Sequence, residues 1–268
     1  MHATIDDLFT GLWQDYIRIT PSATAIHQLL KEKTSATTIV NDHIALRTFN
    51  HAKVNLAVLA KHFLSLGYEA KGEYDFSAKK LNAKHFEHAD LTKPKVFISE
   101  LKSEEMSAAT QGIISSMLAQ MPDNITEADD FLYSGTHWQV SSEDYKTLLA
   151  ESEYAAWMAA WGYRANHFTV SINHLAKKHT LEEINDILKS AGFTLNTSGG
   201  EVKGGKDVCL AQSSTMADKA TVEFSDKALV IPSCFYEFAE RFILPTGELY
   251  QGFVAASADK IFESTNAS

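Results

Sequence analysis

Two stretches of this chain run in step: HIALRTFNHAKVNLAVLAKHFLSLGYEAKGEY from His43, and HFTVSINHLAKKHTLEEINDILKSAGFTLNTSGGE from His167. Each opens on a histidine heading a strand-like run and carries a second histidine (His51, His174). Each then passes into an amphipathic helix and ends on glycine plus aromatic (Gly67–Tyr68, Gly192–Phe193). The interval from leading histidine to that glycine is 24 residues in one copy (43 to 67) and 25 in the other (167 to 192). Leu56, Leu59, Phe63 and Leu66 recur at helical spacing, as do Leu181, Ile184, Leu188 and Ala191. Thr180 with Glu183 forms a capping box that starts the second helix, and Gly192 closes it. Strand-like runs follow: KVFISEL (Lys95 to Leu101) in the first copy, and DVCLAQSS, KATVEF and SCFYEFAERF in the second. A strand, a helix and further strands occurring twice predict a duplicated α+β fold.

The remaining sequence is helical in pattern. EEMSAATQGIISSMLAQM and YKTLLAESEYAAWMAAWGY have apolar residues three and four apart, with Trp157 and Trp161 forming a stripe of the kind that usually packs a core. IDDLFTGLWQDYI and AIHQLLKEK, within the first forty residues, also read as helices. The expected organisation is a single domain over 1–268, with a first module at 41–101, a helical insert at 103–162 and a second module at 163–256.

Acid exceeds base, with 34 Asp and Glu against 24 Lys and Arg and a formal charge of -10. That balance argues against a nucleic-acid backbone or an anionic membrane as partner. It leaves room for a small acidic ligand held by one local arginine. The N-terminus lacks a basic region followed by an apolar one, and no apolar run reaches about 18 residues, so a soluble cytoplasmic protein is expected. Cys209 and Cys234, the two cysteines, lie 25 residues apart (209 to 234) with no CxxC, which argues against a disulfide framework or a thiolate zinc site.

Strand alternation places His43, Ala45, Arg47 and Phe49 on one face and Ile44 and Leu46 on the other. In the second copy His167, Thr169 and Ser171 share a face. Were the two modules to pack edge to edge, their curved sheets facing a common cleft, both histidines would converge there as ligands for a divalent transition metal. A third ligand is expected from SCFYEFAERF. Glu237, between Tyr236 and Phe238, is costly to bury unless paired or bound to a metal. An ion pair with Arg241 or Arg47 is the alternative. Two histidines and a carboxylate form the facial triad that holds Fe(II) with positions open.

The segments HIALRTF, NHFTVSIN, SCFYEFAERF and YQGFVAASADKIFEST resemble the 2-oxoadipate dioxygenase/decarboxylase family, over roughly residues 40 to 265. That family is similar in fold to the vicinal oxygen chelate enzymes, which are built from duplicated βαβββ modules. The resemblance implies a mixed sheet around a metal cleft, with Fe(II) held by His43, His167 and Glu237. It implies Arg47 as the substrate-binding arginine and a backbone contact to substrate near Val254. It further implies dioxygen as co-substrate, conversion of 2-oxoadipate to 2-hydroxyglutarate and carbon dioxide, and a place in lysine degradation. Set against that resemblance, the chain is expected to be shorter than the best-studied members, without much of their C-terminal half. Arg47 suits the distal carboxylate of a five- or six-carbon dicarboxylate chelated at the other end, because a guanidinium offers a bidentate fork and stays charged.

Glu100, in FISEL, is taken as the first-module counterpart of Glu237 and given a supporting role. A glyoxalase-like lyase or isomerase would instead use it as a fourth ligand. A non-catalytic small-ligand-binding protein on the same fold is the third possibility. His85 and His88, three apart, are expected at a solvated turn or strand end. The Gly199–Gly205 stretch lacks the Lys-Ser/Thr of a phosphate-binding loop and is expected as a hairpin or flap, with Gln212 to Thr215 lining the pocket.

Overall fold

The structure, a computed structural model, describes residues 2–265. Two N-terminal helices come first, α1 (Ile5–Ile19) and α2 (Pro21–Thr34). Thr4 caps α1 by accepting the Asp7 amide, and Asp6 and Asp7 complement the positive end of the helix dipole. Leu8, Leu12, Tyr16 and Ile19 form its buried stripe, and the Tyr16 hydroxyl donates to the Phe235 carbonyl. Trp13 and Tyr16 pack their rings on Phe168, 5.0 and 4.9 Å between centroids, so the helix covers the outer face of the central sheet.

The first repeat folds as β1 (Asn41–Phe49), α3 (Leu56–Leu64), β2 (Tyr68–Phe76), β3 (Leu81–His88) and β4 (Lys95–Leu101). Three helices follow: α4 (Ala108–Ala119), α5 (Ser142–Glu151) and α6 (Glu153–Trp161). The second repeat folds as β5 (Ala165–Ser171), α7 (Leu181–Ser190), β6 (Lys203–Gly205), β7 (Leu210–Ser214), β8 (Lys219–Glu223), β9 (Ala228–Pro232) and β10 (Phe235–Arg241). A last helix, α8 (Ala255–Ile261), runs into a 3-10 turn at Phe262–Thr265.

Eight strands form one sheet in the order β2-β3-β4-β1-β5-β10-β7-β6. From its centre the two halves run outward alike: β1 pairs parallel with β4, and β5 pairs parallel with β10. The halves join through the antiparallel β1–β5 pair. A parallel pair needs a crossover between its strands, and α3 and α7 provide it. The sheet curls into a half-barrel, giving the mixed α+β class expected from the repeat. KATVEF departs from expectation: β8 pairs only with β9, in a separate two-stranded sheet, because its residues alternate between exposed and half-buried and offer no face to the core. DVCLAQSS becomes strand only from Leu210, since Lys206–Val208 is a 3-10 turn and Cys209 adopts a left-handed conformation.

Every α6 residue from Tyr154 to Trp161 is buried, as a helix apolar on all sides must be. The indole N–H groups of Trp157 and Trp161 donate to the carbonyls of Ser233 and Pro232, tying this helix to the approach of β10. Gly162 turns the chain from α6 into β5 at φ +65°, where a Cβ would run into the Gly135 carbonyl.

Candidate metal centre

β1 and β5 meet through two mirrored bulges. Asn41 pairs with Val170 and His43 with Thr169, so Asp42 is the extra residue on β1. Ala45 pairs with His167 and Leu46 with Ala165, so Asn166 is the extra residue on β5. A bulge re-aims the side chains around it. Here each extra residue bonds the histidine that follows it, Asp42 Oδ1 to His43 Nδ1 at 2.7 Å and Asn166 Oδ1 to His167 Nδ1 at 3.1 Å. With Nδ1 engaged behind each ring, Nε2 faces inward.

Glu237 comes from β10, whose register with β5 sets it opposite Thr169. Its Oε1 lies 3.4 Å from His43 Nε2, and its Oε2 lies 3.1 Å from His167 Nε2. One ligand atom from each of His43, His167 and Glu237 falls within 4.8 Å of the others, and all three side chains are buried. Gln212 Nε2 donates to Glu237 Oε1 at 2.6 Å, while Oε2 has no hydrogen-bond partner among the described residues. Burial pushes the Glu237 carboxyl up, but the two histidines and the Gln212 bond outweigh it and hold the group below the usual range. Burial lowers His167, against the opposing pull of Glu237. A buried carboxylate whose two oxygens each face an imidazole nitrogen, one oxygen without a donor, is a donor set that fits a divalent cation. The ion pair of Glu237 with Arg241 or Arg47 is absent: Arg241 pairs with Asp42, Nε to Oδ2 at 2.7 Å and Nη2 to Oδ1 at 2.8 Å.

Arg47 is 2% exposed. Its guanidinium sits among Tyr154, Trp157 and Phe262, 4.8, 5.0 and 5.7 Å from the ring centroids. Its polar contacts are long, 3.4 Å to Glu153 Oε1 and 3.3 Å to Thr265 Oγ1, and Nε has no partner among the described residues. A buried cation this loosely bonded retains capacity for an anion. The Tyr154 hydroxyl is itself fixed, donating to the Ser99 carbonyl at 2.8 Å and accepting the Thr48 amide at 3.0 Å. The Trp157 stripe therefore packs the core and also forms a wall of the arginine cage.

Other candidates fall elsewhere. Glu100 is not the counterpart of Glu237. His43 pairs with Lys95 and His167 with Phe235, so the residue two positions further is Phe97 in one module and Glu237 in the other. Glu100 Oε2 instead accepts the Leu56 amide at the start of α3, at 2.8 Å. His85 and His88 do not pair, and His85 is not solvated. It is buried in β3, with Nδ1 2.9 Å from the Tyr74 hydroxyl and Nε2 2.9 Å from Glu87 Oε1, whereas His88 Nδ1 accepts the Asp90 amide. Gly199 and Gly200 form a turn at positive φ, but Lys203–Gly205 is edge strand β6, and buried Lys203 gives its ammonium to the Asn196 carbonyl. Of the segment Gln212 to Thr215, Gln212 touches Glu237, while Ser213 bonds Asn185 and Ser214 bonds Ser264. Both cysteines are free thiols, and burial pushes the Cys234 thiol up to about 12.

Val254 precedes α8, its carbonyl accepting the amides of Ser257 and Ala258. Its neighbour Phe253 sets its ring edge-on to His43 at 4.8 Å. Asp42, Asn166 and Phe253 escaped the reading of the sequence, whereas Gln212 was expected at the pocket. The signal for two of them was present, since a hydrogen-bonding residue precedes the histidine in both NDH and ANH.

A profile of a family described as 2-oxoadipate dioxygenase/decarboxylase matches residues 12–249. The chloroplastic 2-oxoadipate dioxygenase/decarboxylase of Arabidopsis thaliana is 37% identical over 251 residues, covering 84% of this chain and 67% of its own length. A Shewanella frigidimarina protein of known structure, described as a hydrolase, is 60% identical, with a TM-score of 0.91 over 96% of this chain and 100% of that one. The Oryza sativa hydroxyglutarate synthase in complex with 2-oxoadipate is 33% identical, with a TM-score of 0.91 over 97% of this chain and 91% of its own.

Proposed function

This chain belongs to the 2-oxoadipate dioxygenase/decarboxylase family, and from that premise we propose that it is an Fe(II)-dependent enzyme converting a 2-oxo dicarboxylic acid, 2-oxoadipate foremost, to 2-hydroxyglutarate and carbon dioxide. The observation that carries it is the convergence of His43, His167 and an undonated Glu237 oxygen from the three adjacent strands β1, β5 and β10, with the loosely bonded Arg47 further along β1.

His43 Nε2, His167 Nε2 and Glu237 Oε2 would hold the metal. When bound, Fe(II) supplies Lewis-acid and redox chemistry toward a chelating 2-oxo acid and dioxygen. Asp42 and Asn166 keep both imidazoles turned with Nε2 inward, and Gln212 occupies Glu237 Oε1 so that Oε2 stays available. Arg47 binds the distal carboxylate, leaving its weak contacts to Glu153 and Thr265. Four residues of strand separate His43 from Arg47, about 13 Å at strand rise, a span suited to an extended six-carbon diacid anchored at both ends. Tyr154, Trp157 and Phe262 exclude water from that end and strengthen the charge-assisted pair. The products balance without a further reductant: carbon dioxide takes one carbon, and the five-carbon hydroxy acid keeps both atoms of dioxygen. On this reading the protein would act in lysine degradation, and we assign it to the cytoplasm.

A glyoxalase-like lyase would need a fourth ligand, and its place in the first module is taken by Phe97. Oxygen uptake by Fe(II)-loaded protein over a panel of 2-oxo acids tests the proposal. Uptake matched one to one by carbon dioxide and 2-hydroxyglutarate from 2-oxoadipate is the expected result. Turnover that proceeds without dioxygen would favour a lyase or hydrolase, and binding without turnover a non-catalytic role.

A further inference from the structure

We propose that Asp42 and Arg241 are positioning residues that make His43 the stronger of the two histidine donors, an inference that rests on the metal-centre reading above. The two bulges are mirror images in register but not in chemistry. A carboxylate stands behind His43, and a neutral amide stands behind His167. A carboxylate bonded to a guanidinium only accepts hydrogen bonds, so its contact with Nδ1 fixes the proton there and leaves Nε2 an acceptor, for the Thr169 hydroxyl 3.1 Å away or for a metal. Arg241 holds Asp42 still, through two parallel bonds of 2.7 and 2.8 Å. Asn166 has no such anchor. Its bond to His167 is longer, and its Nδ2 has no partner among the described residues.

Arg241 acts on the same histidine by a second route. Its Nη1 donates to the carbonyls of Tyr250 at 3.2 Å and Gly252 at 2.8 Å, and its guanidinium lies 5.3 Å from the Phe253 ring centroid. That ring meets His43 edge-on. One side chain thus fixes both the group bonded to the His43 nitrogen and the aromatic wall against its ring. Arg241 also lies on β10 four positions after Glu237, so one strand carries a ligand and the anchor of another. Partners of this kind raise ligand basicity, and their loss typically weakens metal affinity about 10–100-fold.

Co(II), stable in air and visible by its d–d absorption, is the probe. Asp42→Asn/Arg241→Gln removes both buried charges and strands neither. It should keep the metal-free melting temperature within a few degrees of the parent's while binding Co(II) about 10–100-fold more weakly, with a shifted spectrum. Arg241→Lys, which keeps a cation beside Asp42, should recover most of that affinity, and Asn166→Ala should lose less than the double variant. Independently of any variant, nitrogen-15 NMR of histidine-labelled, metal-free parent protein should find His43 protonated at Nδ1. Co(II) binding in the folded double variant equal to the parent's, or a His43 proton on Nε2, would overturn the assignment. A parent protein that binds no Co(II) would overturn the metal centre itself, and this assignment with it.

Discussion

Glu100 and Glu240 occupy the same place in the two modules. Each lies five residues beyond the strand partner of its module's histidine, Lys95 for His43 and Phe235 for His167 (95 to 100, 235 to 240). Each accepts the first amide of its module's helix, Leu56 N at 2.8 Å and Leu181 N at 3.0 Å. The last strand of each module thus caps the helix that crosses over to reach it. A carboxylate at a helix N-terminus both satisfies an orphan amide and complements the dipole.

Removing either cap should cost stability and leave the metal alone. Glu100→Ala and Glu240→Ala are each expected to destabilise by about 0.5–2 kcal/mol, the range for lost N-terminal caps. Urea unfolding measures this, and metal content measured on the same samples should match the parent. Loss of metal from the Glu100 variant would restore the two-glutamate site that the register argues against.

Ala replacements of His43, His167 and Glu237 should each abolish stoichiometric binding of a divalent metal. The folded state should survive, since none of the three anchors a helix or strand pairing by its side chain. Elemental analysis beside circular dichroism decides it, and full occupancy in all three variants would remove these residues from the site.

Arg47→Met keeps the bulk inside the aromatic cage but removes the charge. Loss of a charge-assisted bidentate pair is worth about 1.5–3 kcal/mol, so KM for 2-oxoadipate should rise by one to two decades. Lysine should restore part of this, because a point charge lacks the fork. A monocarboxylic 2-oxo acid of equal length should be a poor substrate for the parent and little changed by the mutation. Equal losses for both acids would mean that Arg47 supports the fold or the metal rather than selecting dicarboxylates.

His27 should make the fold acid-sensitive. Its ring stacks on Trp13 at 4.7 Å and its Nε2 is buried without a partner among the described residues. Burial, aided by Lys31, lowers it to about 4. Because the folded value lies below the unfolded one of about 6.5, the unfolded chain binds more protons between them. Stability from this group is therefore present above about pH 6.5 and is lost as pH falls toward 4. Melting curves at pH 7 and pH 5 should show a smaller acid loss for His27→Phe than for the parent, and identical losses would exclude the residue as a source.

Much of the architecture could be read along the chain. The duplication showed itself because each module must bury one helix face on its own strands, which imposes the same apolar spacing and the same glycine stop twice. His43 and His167 were visible as equivalents because each heads the strand preceding that helix. Glu237 stood out because a carboxylate between Tyr236 and Phe238 has no low-energy place in a core without a partner.

What tertiary structure alone decided was register. Glu100 looked equivalent to Glu237 because both follow aromatic, strand-like residues, but equivalence in a sheet is set by which residue faces which across strands, and that gives Phe97. NDH and ANH supply the residue types at Asp42 and Asn166, but the bulges themselves exist only in the pairing of two strands more than a hundred residues apart. Arg241 finds Asp42, and Thr265 and Phe262 find Arg47, for the same reason. A side chain's type states which partners it requires once water is removed. Which partner it meets depends on how distant segments pack, and no local stretch of sequence contains that distance.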